Sequence, residues 1–437
     1  MINFTTPNPR KVSGEVQVSR LGYPEKIKNI PGFAKIISQI SGQNISELLE
    51  AIFIGAVDLS SSDIHFETEE DRVKIRLRID GVLQDLINIS REDYRPLLSR
   101  LKLVSGIKLN ISDRPQDGRF SVVDNQKSIE VRSSTLPAEY GESVVLRVLN
   151  SEDLISLKQL GLRADLLEIF HQEITKPNGM IIVTGPTGSG KTTTLYAFLK
   201  EVQSSEIKII TIEDPIEYRL EGISQTQTNP AKGYDFASGL RAIVRQDPDV
   251  ILVGEIRDLE TAEIALQAAL TGHLVFSTLH ANDAAGTIAR LIDLGTNPPS
   301  VAAAINSAVA QRLIRKVCQK CVELKPIATD LLEKMGRRLN KLPQNVKIPP
   351  LSKDSKIPFA NGCEDCNFTG YRGRLGVFEA FLVDEEMERF ILKEPATSDL
   401  KEKAIEKGMI TLYQDGLIRV LEGLTTIEEL ERVVGQE

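Results

Sequence analysis

The sequence predicts an α/β protein with a mostly parallel sheet, preceded by a smaller α+β domain and carrying a tetracysteine subdomain. From about residue 151 onward, apolar strand-like segments such as "MIIVTG", "DVILVGE" and "HLVFSTLH" alternate with helical segments, a pattern typical of a parallel sheet covered by helices. Before that point, short strand-like segments including "RVKIRLRID" and "SVVLRVL" flank a helical stretch, "YRPLLSRLKLVSG". All four cysteines fall in two Cys-x-x-Cys pairs.

The length of 437 residues is too great for one ordinary hydrophobic core and predicts two or three domains. Residues 1–43 lack sustained periodicity and carry several prolines, so we expect a tail or linker with one short helix around "FAKIISQI". Residues 44–150 form the predicted α+β domain. Residues 151–437 form the predicted α/β domain, which includes a cysteine-bearing subdomain over 316–370 and a C-terminal helical part over 371–437.

The composition argues against several classes of protein. Acidic residues outnumber basic ones, and the net charge of −8 disfavours binding to a nucleic-acid backbone, which needs clustered cations. Aromatic residues make up only 5% of the chain, so stacking platforms for bases are scarce. No run approaches the roughly 18 apolar residues of a membrane span, and the first residues, "MINFTTPNPRKVSG", are unlike a signal peptide. We therefore expect a cytosolic protein that reaches a membrane through a partner.

The segment "IIVTGPTGSGKTTTLYAFL" predicts a nucleoside triphosphate site. It places a full GxxxxGK[ST] match between a predicted strand and a predicted helix, which is the context that this phosphate-binding loop requires. Lys191 would neutralise β- and γ-phosphate charge and Thr192 would ligate Mg²⁺, while the glycines let backbone N–H groups point at the anion. The alternative is a chance glycine-rich turn. The residues predicted to bind ATP are Gly185, Pro186, Thr187, Gly188, Ser189, Gly190, Lys191 and Thr192.

Two further strands would deliver carboxylates to the same edge of the sheet, because nucleotide chemistry in such folds lies at the carboxyl ends of the strands. "DPDVILVGEIRD" ends its strand at Glu255, which is the residue predicted to handle Mg²⁺. "IITIEDPIEY" carries Glu213, Asp214 and Glu217, and we expect Glu213 to orient and deprotonate the attacking water. The alternative is that these acids cap the following turn or helix.

The segment "TGHLVFSTLHAND" places a histidine at each end of another apolar strand. His273 and His280 are seven residues apart, an odd spacing that points them to opposite faces of an extended strand. His280 lies at the carboxyl end, where a residue that senses the γ-phosphate belongs, and we predict a catalytic role for it. A histidine satisfied by hydrogen bonds in the core is the alternative, and it is the favoured interpretation for His273.

The two cysteine pairs, "CQKC" and "CEDC", predict a structural Zn²⁺ site. In a reducing cytosol such pairs are better explained by a tetrahedral zinc ion than by disulfides. Metal-free or redox-active thiols and a different metal are the alternatives, since the gap between the pairs exceeds the usual zinc-ribbon spacing. With no open coordination position expected, the zinc would hold a subdomain together and do no chemistry. The predicted ligands are Cys318, Cys321, Cys363 and Cys366.

Four segments resemble, in order and spacing, the Walker A, Asp box, Walker B and His box of the type II secretion and type IV pilus assembly ATPases: "GPTGSGKTTTLY", "TIEDPIEY", "RQDPDVILVGEIRD" and "TGHLVFSTLHAND". Upstream, "SSDIHFE", "RLRIDGVL" and "RPQDGRF" look like the PAS-like second domain of that family. The cysteine pairs and the tail "MITLYQDGLIRVLEGLTTIEEL" resemble its GspE/PilB branch, which serves secretion and pilus extension. The resemblance covers about residues 44–437 and implies a RecA-like ATPase core behind a PAS-like domain.

The resemblance also implies a homo-hexameric ring whose nucleotide sites lie where the N-terminal domain of one subunit meets the RecA-like domain of the next. In the family, arginines of the N-terminal domain reach the phosphates across that cleft. The matching catalytic positions are Arg119 and Arg132, with Arg78 and Arg147 as weaker candidates. An arginine suits this task because its charged fork grips γ-phosphate oxygens as charge shifts. From the sequence pattern alone, a solvent-exposed strand arginine is the simpler interpretation.

The function that the resemblance implies is a cytoplasmic, protein-secreting P-loop ATPase, peripheral at the inner membrane, which uses ATP and Mg²⁺ to drive pilin or pseudopilin assembly through a membrane platform protein. A pilus-retraction ATPase of the same superfamily is the near alternative, although that branch lacks the cysteine pairs. The sequence also leaves open a nucleic-acid-translocating motor and a nucleotide-gated scaffold without turnover. Members of the branch often carry a further N-terminal docking domain, whereas about 43 residues precede the matching region here. We therefore expect recruitment through the zinc subdomain or a short N-terminal segment.

Overall fold

The computed structural model describes residues 14–24, 26–42, 44–124, 127–149, 155–343 and 345–435. It divides into two compact units, which are described in turn: Met1–Ser151 with Gly362–Gly370, and Glu152–Asn361 with Tyr371–Glu437. Residues 1–13 of the predicted tail, and residues 150–154 around the predicted start of the α/β domain, lie outside the described residues.

The first unit is a mixed sheet with helices packed on it. Its described strands are β1 (Glu15–Val18), β2 (Ser61–Thr68), β3 (Arg72–Ile79), β4 (Val82–Ser90), β5 (Gln116–Asp124), β6 (Lys127–Ala138) and β7 (Gly141–Leu149). Its described helices are α1 (Ile30–Ile40), α2 (Ile45–Asp58) and α3 (Arg91–Val104). The strand order is β1-β5-β6-β7-β2-β3-β4, with β1 parallel to β5 and the other neighbours antiparallel. The predicted α+β architecture is confirmed.

Alternation of apolar and charged residues explains how β3 packs. Val73, Ile75 and Leu77 are fully buried in the core, while the intervening basic residues lie on the other face. The turn to β4 uses Asp80 and Gly81 with φ angles of 51° and 83°, as a tight two-residue hairpin requires. One face of the sheet at β3 is therefore apolar and buried, and the other carries charged side chains.

Residues 15–24 and 26–42 correct the prediction of a tail or linker. α1 is the helix expected around "FAKIISQI", but β1 adds a parallel strand to the sheet, and Phe33 and Ile37 are fully buried. Pro31, which suggested a linker, occupies the first turn of α1, where its missing N–H has no helical partner to lose. Burial of the apolar stripe of α1 therefore makes this segment part of the first unit.

The second unit holds the remaining elements. Its described strands are β8 (Gly179–Thr184), β9 (Ile209–Glu213), β10 (Ser224–Gln227), β11 (Val250–Val253), β12 (Leu274–Leu279), β13 (Ile305–Val317), β14 (Val322–Pro326), β15 (Lys356–Ala360) and β16 (Tyr371–Leu382). Its described helices are α4 (Ala164–Glu173), α5 (Lys191–Val202), α6 (Phe236–Val244), α7 (Leu259–Leu270), α8 (Ala284–Asp293), α9 (Pro298–Ala304), α10 (Thr329–Leu339), α11 (Glu385–Ile391), α12 (Thr397–Glu406), α13 (Leu412–Leu421) and α14 (Ile427–Val434).

The main sheet of this unit is mostly parallel, as predicted. Its order is β10-β9-β11-β12-β8-β13-β16, and only the β13–β16 pair is antiparallel among these described strands. Met180 and Ile182 of β8 belong to one buried cluster, and Ile181 and Val183 belong to another. Helices therefore cover both faces of the sheet, which explains the continuous apolar run of β8. The carboxyl ends of β8, β9, β11 and β12 meet at one edge.

The part predicted as helical over 371–437 begins with a strand. β16 pairs with β13 along most of its length and forms one edge of the main sheet, and only α11 to α14 match the helical prediction. β16 is buried on both faces near its end, and such a strand cannot be distinguished from a buried helix by periodicity alone. In the segment 316–370, β14 and β15 form a two-stranded sheet and α10 lies between them in the chain. Among the described helices, none combines the length and apolar character needed to cross a bilayer.

Candidate functional site

The phosphate-binding loop connects β8 to α5, and its shape depends on two glycines. α5 begins at Lys191, and Gly190 before it adopts φ of 87°, a left-handed conformation that favours glycine. A Cβ atom at Gly190 would lie 2.9 Å from Nε2 of Gln311, and one at Gly185 would lie 2.5 Å from the Gln311 carbonyl oxygen. Strand β13 thus packs directly against the loop, and only glycine fits at both positions.

The loop has polar groups that fit a polyphosphate. The Lys191 ammonium donates to the carbonyl oxygens of Gly185 and Pro186, at 2.8 and 3.1 Å. Burial lowers the pKa of Lys191 because it disfavours the charged ammonium. A bound anion would stabilise that charge and raise the pKa again. Ser189 Oγ is buried and has no hydrogen-bond partner among the described residues. Thr192 lies in the first turn of α5, half-buried. A cationic, N–H-rich loop at a helix N-terminus is suited to phosphate.

Glu255 follows β11 and lies between Arg257 and His280. One carboxylate oxygen accepts a hydrogen bond from Arg257, and the other is 3.6 Å from Nε2 of His280. The Lys191 ammonium is within electrostatic range of the same carboxylate. The hydroxyl of Thr278 donates to the Gly254 carbonyl at 2.8 Å, which ties the end of β11 to β12. The structure therefore brings together three predicted residues, Lys191, Glu255 and His280.

Glu213 ends β9 and is buried, with only 3% of its surface exposed. One oxygen accepts hydrogen bonds from Thr211 Oγ1 at 2.6 Å and Gln225 Nε2 at 3.2 Å, and the other accepts from the Tyr196 hydroxyl. Burial raises the pKa of Glu213, and these three hydrogen bonds oppose the rise. All these partners are side chains, so Glu213 does not act as a helix cap. Asp214 is exposed after the end of the strand.

His273 lies at the amino end of β12, opposite to His280. Its Nδ1 is 3.0 Å from the Ala268 carbonyl oxygen, at the end of α7. This contact agrees with the expectation of a histidine satisfied by its local structure. Of the two histidines, His280 is the one at the edge of the sheet that carries the phosphate loop.

Sequence reasoning missed polar residues that position the phosphate loop. Thr184 Oγ1 donates to the Leu279 carbonyl at 2.9 Å and accepts from the N–H of Ala281 at 2.7 Å, which links β8 to the segment around His280. The hydroxyl of Thr194 donates to Gln311 at 2.7 Å within the core. For Thr184 the available signal was a polar residue at the end of an apolar strand. For Thr194 there was no local signal, because its partner Gln311 lies on β13, more than a hundred residues later.

The predicted arginines of the first unit lie in one row across its sheet. Arg119 on β5 is directly opposite Arg132 on β6, and Arg132 is directly opposite Arg147 on β7. Asp63 on β2 continues the row and lies opposite both Arg147 and Arg78. Its carboxylate is 3.0 Å from Nε of Arg147 and 3.3 Å from Nε of Arg78. Directly opposite residues share a face of the sheet, so the four arginines form one basic row.

None of the four cysteines is in a disulfide, and their sulfur atoms all lie within 4.8 Å of one another. The Sγ atoms of Cys363 and Cys366 are 3.8 Å apart. That is about the edge of a tetrahedron with metal–sulfur bonds of about 2.3 Å. Cys366 Sγ accepts hydrogen bonds from the N–H groups of Cys363 and Gly370, at 3.1 and 3.3 Å, which favour a thiolate. The predicted ligand set thus fits a tetrahedral Zn²⁺ ion.

The parallel sheet, the phosphate loop after β8, the acid after β11 and the histidine after β12 together define a RecA-like P-loop protein. The family model described as "Type II/IV secretion system protein" matches residues 39–432, and the chain belongs to this family. The predicted resemblance to the GspE/PilB type is confirmed, as is the predicted fold class.

Relatives and solved structures support the assignment. The chain is 44% identical over 395 residues to Type II secretion system protein E of Aeromonas hydrophila, covering 90% of this chain and 76% of the relative. It is 45% identical over 392 residues to Type II secretion system ATPase E of Vibrio cholerae serotype O1, covering 89% and 75%. It is 43% identical over 372 residues to the type IV pilus assembly ATPase PilB of Thermus thermophilus, covering 85% and 41%.

Among solved structures, the pilus retraction motor PilT with bound ADP matches with a TM-score of 0.57 at 28% identity, covering 86% of this chain and 94% of that one. The ATPase DotB of Legionella pneumophila matches with a TM-score of 0.62 at 21% identity, covering 97% and 99%. At that identity the second likeness concerns the fold alone.

Proposed function

We propose that this chain is a hexameric ATPase motor that hydrolyses ATP to drive pilin or pseudopilin assembly, in type II secretion or type IV pilus extension. The observation that carries the proposal is the meeting of Lys191, Glu255 and His280 at one sheet edge beside the phosphate loop. Relatives named as a secretion ATPase and a pilus assembly ATPase, at 45% and 43% identity, support the extension branch. The PilT retraction motor is more distant, at 28% identity.

Each residue at this edge has a distinct task in the proposal. When bound, ATP supplies the phosphoryl group and Mg²⁺ neutralises part of its charge. Lys191 would bind the β- and γ-phosphates, and Thr192 and Glu255 would hold the metal. His280 lies 3.6 Å from Glu255 and would sense a change of charge through that carboxylate. Glu213 would orient water and accept its proton, since a raised pKa makes a carboxylate a better proton acceptor.

The first unit would contribute the arginine row to the site of a neighbouring subunit. Within the row, Arg119 and Arg132 lie farthest from Asp63. Asp63 forms an ion pair with Arg147, the next arginine of the row. In a ring of identical subunits, one face of each protomer meets a different face of the next, so such a trans contact recurs around the ring. Arginine is suited to it because the guanidinium stays charged and binds phosphate oxygens with two donors.

The tetracysteine site would hold a structural Zn²⁺ ion, and the ring would act at the cytoplasmic face of the inner membrane through a platform protein. A thiolate cluster with no carboxylate or histidine ligand favours zinc over hard cations such as Mg²⁺. The net charge of −8 supports a protein partner over nucleic acid.

The experiment that tests the proposal is steady-state ATP hydrolysis with light scattering on the same samples. We expect Mg²⁺-dependent turnover that rises with the hexamer fraction. Lys191→Ala and Glu255→Gln should each reduce turnover by about a hundredfold or more, the scale seen when one charge-stabilising group is lost. Glu263→Gln, on the exposed face of α7, is the matched control and should retain wild-type activity.

Two outcomes would replace the proposal with a different function. Tight ATP binding without turnover in every assembled state would favour the nucleotide-gated scaffold. Turnover that depends on added DNA would favour a nucleic-acid-translocating motor. Binding of the DNA phosphates would then require basic side chains that line the ring.

A further inference from the structure

Arg312 lies directly beside the phosphate loop, although it is far from that loop in sequence. β13 runs parallel to β8 with Ala310 opposite Thr184, so the next residues of β13 flank the start of the loop. Nη1 of Arg312 is 3.2 Å from the position that a Cβ atom would occupy at Gly185. Its Nη2 donates to the carbonyl oxygen of Asn282 at 2.6 Å, two residues after His280. The guanidinium thus bridges the phosphate loop and the segment that follows β12.

The charge of this guanidinium is not matched by a carboxylate. In the described part of the chain no carboxylate oxygen lies within 4.0 Å of Arg312, and its hydrogen bonds go to the carbonyls of Gln311 and Asn282. Burial lowers the pKa of Arg312, and burial together with the charge of Arg312 lowers the pKa of Lys191. The Glu255 carboxylate opposes this effect at Lys191, but it is not among the groups that act on Arg312. Arg312 is therefore a half-buried cation without a carboxylate beside it in the described residues, an unfavourable arrangement in the absence of an anion.

The nearest acids are engaged elsewhere. The carboxylate of Glu379 accepts hydrogen bonds from the N–H groups of Ala284 and Leu412, at 2.9 and 3.3 Å. Asp283 caps α8 through the N–H of Gly286 and pairs with Lys401 at 3.4 Å. Both acids act on Arg312 only at a distance. Neither acid therefore pairs directly with the Arg312 guanidinium, which leaves its charge available to a bound anion.

A second observation places that anion at the phosphate loop. Ser189 is 4% exposed, and its hydroxyl has no hydrogen-bond partner in the described residues. The Ser189 hydroxyl and the Arg312 guanidinium both lie close to Gly185. They are 2.6 and 3.2 Å from the point where a Cβ atom would lie if residue 185 had one. A buried hydroxyl and a cation without a carboxylate, both beside a loop of backbone N–H groups, are suited to oxygen atoms of a phosphate.

We propose that Arg312 is a second phosphate-binding cation of the nucleotide site, supplied by the same chain as Lys191, and that its bond to Asn282 connects the bound phosphates to the segment after His280. This inference rests on the proposed function, because it assigns a further residue to the same ATP site. It differs from the proposed role of Arg119 and Arg132, which would reach the site from a neighbouring subunit.

The test measures Mg²⁺-dependent binding of pyrophosphate and of ADP by calorimetry. Arg312→Gln should weaken both by about tenfold or more, the loss expected for one charge-assisted hydrogen bond to an anion. Arg312→Lys keeps the charge and should lose less. The matched control is Lys316→Gln, an exposed cation farther along the same strand, which should bind both ligands as the wild type does. Unchanged pyrophosphate affinity in Arg312→Gln overturns the inference.

The thermal stability of the nucleotide-free protein separates phosphate binding from a structural brace. If Arg312 binds phosphate and does not stabilise the nucleotide-free protein, Arg312→Gln should leave Tm unchanged or raise it. Added pyrophosphate should then raise the Tm of this variant less than it raises that of the wild type. A lower Tm together with normal pyrophosphate affinity would make Arg312 a brace and overturn the inference. Lys191→Ala shows which proposal has failed: if it also binds pyrophosphate normally, the nucleotide site itself is wrongly placed.

Discussion

Arg119 and Arg132 lie directly opposite each other on the paired strands β5 and β6. Arg132 also lies directly opposite Arg147 on its other side, so three like charges are adjacent on one face. Like charges opposite each other destabilise a sheet by roughly 0.2–1 kcal/mol per pair. Carboxylates offset this in part, since Asp63 pairs with Arg147 at 3.0 Å and Glu130 lies 3.7 Å from Arg132. Sheet stability alone therefore does not explain the row, in agreement with the proposal that it binds an anion.

Replacing Arg132 should therefore raise stability while lowering activity. Arg132→Thr removes the central charge and places a good strand former on β6, so we expect the free energy of unfolding to rise by up to about 1 kcal/mol. ATP hydrolysis should fall in the same protein. Urea denaturation and steady-state hydrolysis measure the two effects. The control is Lys74→Thr on β3, which pairs with Asp85 at 3.3 Å and should give no gain in stability. A destabilised Arg132→Thr protein would mean that the row supports the sheet.

Mixing two inactive variants tests whether the arginines act on a neighbouring subunit. Lys191→Ala lacks the phosphate-loop cation, and Arg119→Ala lacks the first arginine of the row. If Arg119 acts in trans, a subunit with intact Lys191 can be completed by a neighbour with intact Arg119, so about a quarter of the sites in an equal mixture should recover activity. If Arg119 acts within its own chain, no site in the mixture is complete. Hydrolysis measured after subunit exchange distinguishes these cases, and continued inactivity in mixed rings would refute the trans assignment.

Local sequence signals were sufficient to place the phosphate loop, Glu255 and His280 at the ends of strands and to identify the cysteine pairs, while the chemical roles of these residues stay predictions. The first three depend on a strand that ends in a loop, and each Cys-x-x-Cys pair depends on close spacing, so all are visible within about a dozen residues. The fold class followed from the alternation of strands and helices for the same reason. The two pairs lie far apart in the chain, and the prediction that they meet came from the ligand chemistry of zinc.

Long-range strand pairing explains what could not be predicted. Arg312 is close to the phosphate loop only because β13 lies beside β8, and four separate arginines form a row only because of the register of five strands. Periodicity also placed β1 in a predicted tail and β16 in a predicted helical part, since a short edge strand and a strand buried on both faces carry weak signals. The pairing of distant strands is decided by tertiary packing, which one sequence does not display.

The Tyr196 hydroxyl should control the pH dependence of hydrolysis through Glu213. Burial raises the pKa of Tyr196, so the hydroxyl keeps its proton and donates a hydrogen bond to the carboxylate. This bond favours the ionised form of Glu213, whose pKa burial has raised. A general base must be ionised, so activity is lost as pH falls through the pKa of Glu213. Tyr196→Phe removes one stabilising bond, raises that pKa further and should move the acidic limb of the kcat/KM profile to higher pH.

The matched control is Tyr234→Phe, because the Tyr234 hydroxyl bonds to Thr226 at 3.0 Å and is not a partner of Glu213. Its profile should coincide with that of the wild type. An unchanged acidic limb in Tyr196→Phe, with activity intact, would show that Glu213 does not set the pH dependence. Glu213→Gln should then retain turnover as well, and the role of base would pass to another group.

The tetracysteine site contains all four cysteines of the chain, so thiol reactivity reports directly on its state. We expect one zinc ion per purified chain, and thiols that react fully with a disulfide reagent only after a strong chelator has removed the metal. Cys366→Ser should abolish stable zinc binding and lower Tm by several degrees, because Cys366 is buried and its sulfur accepts two N–H bonds. Ser352→Ala, an exposed change between the two cysteine pairs, should affect neither quantity. Metal analysis that finds no zinc, with all thiols reactive from the start, would favour metal-free thiols over the zinc site.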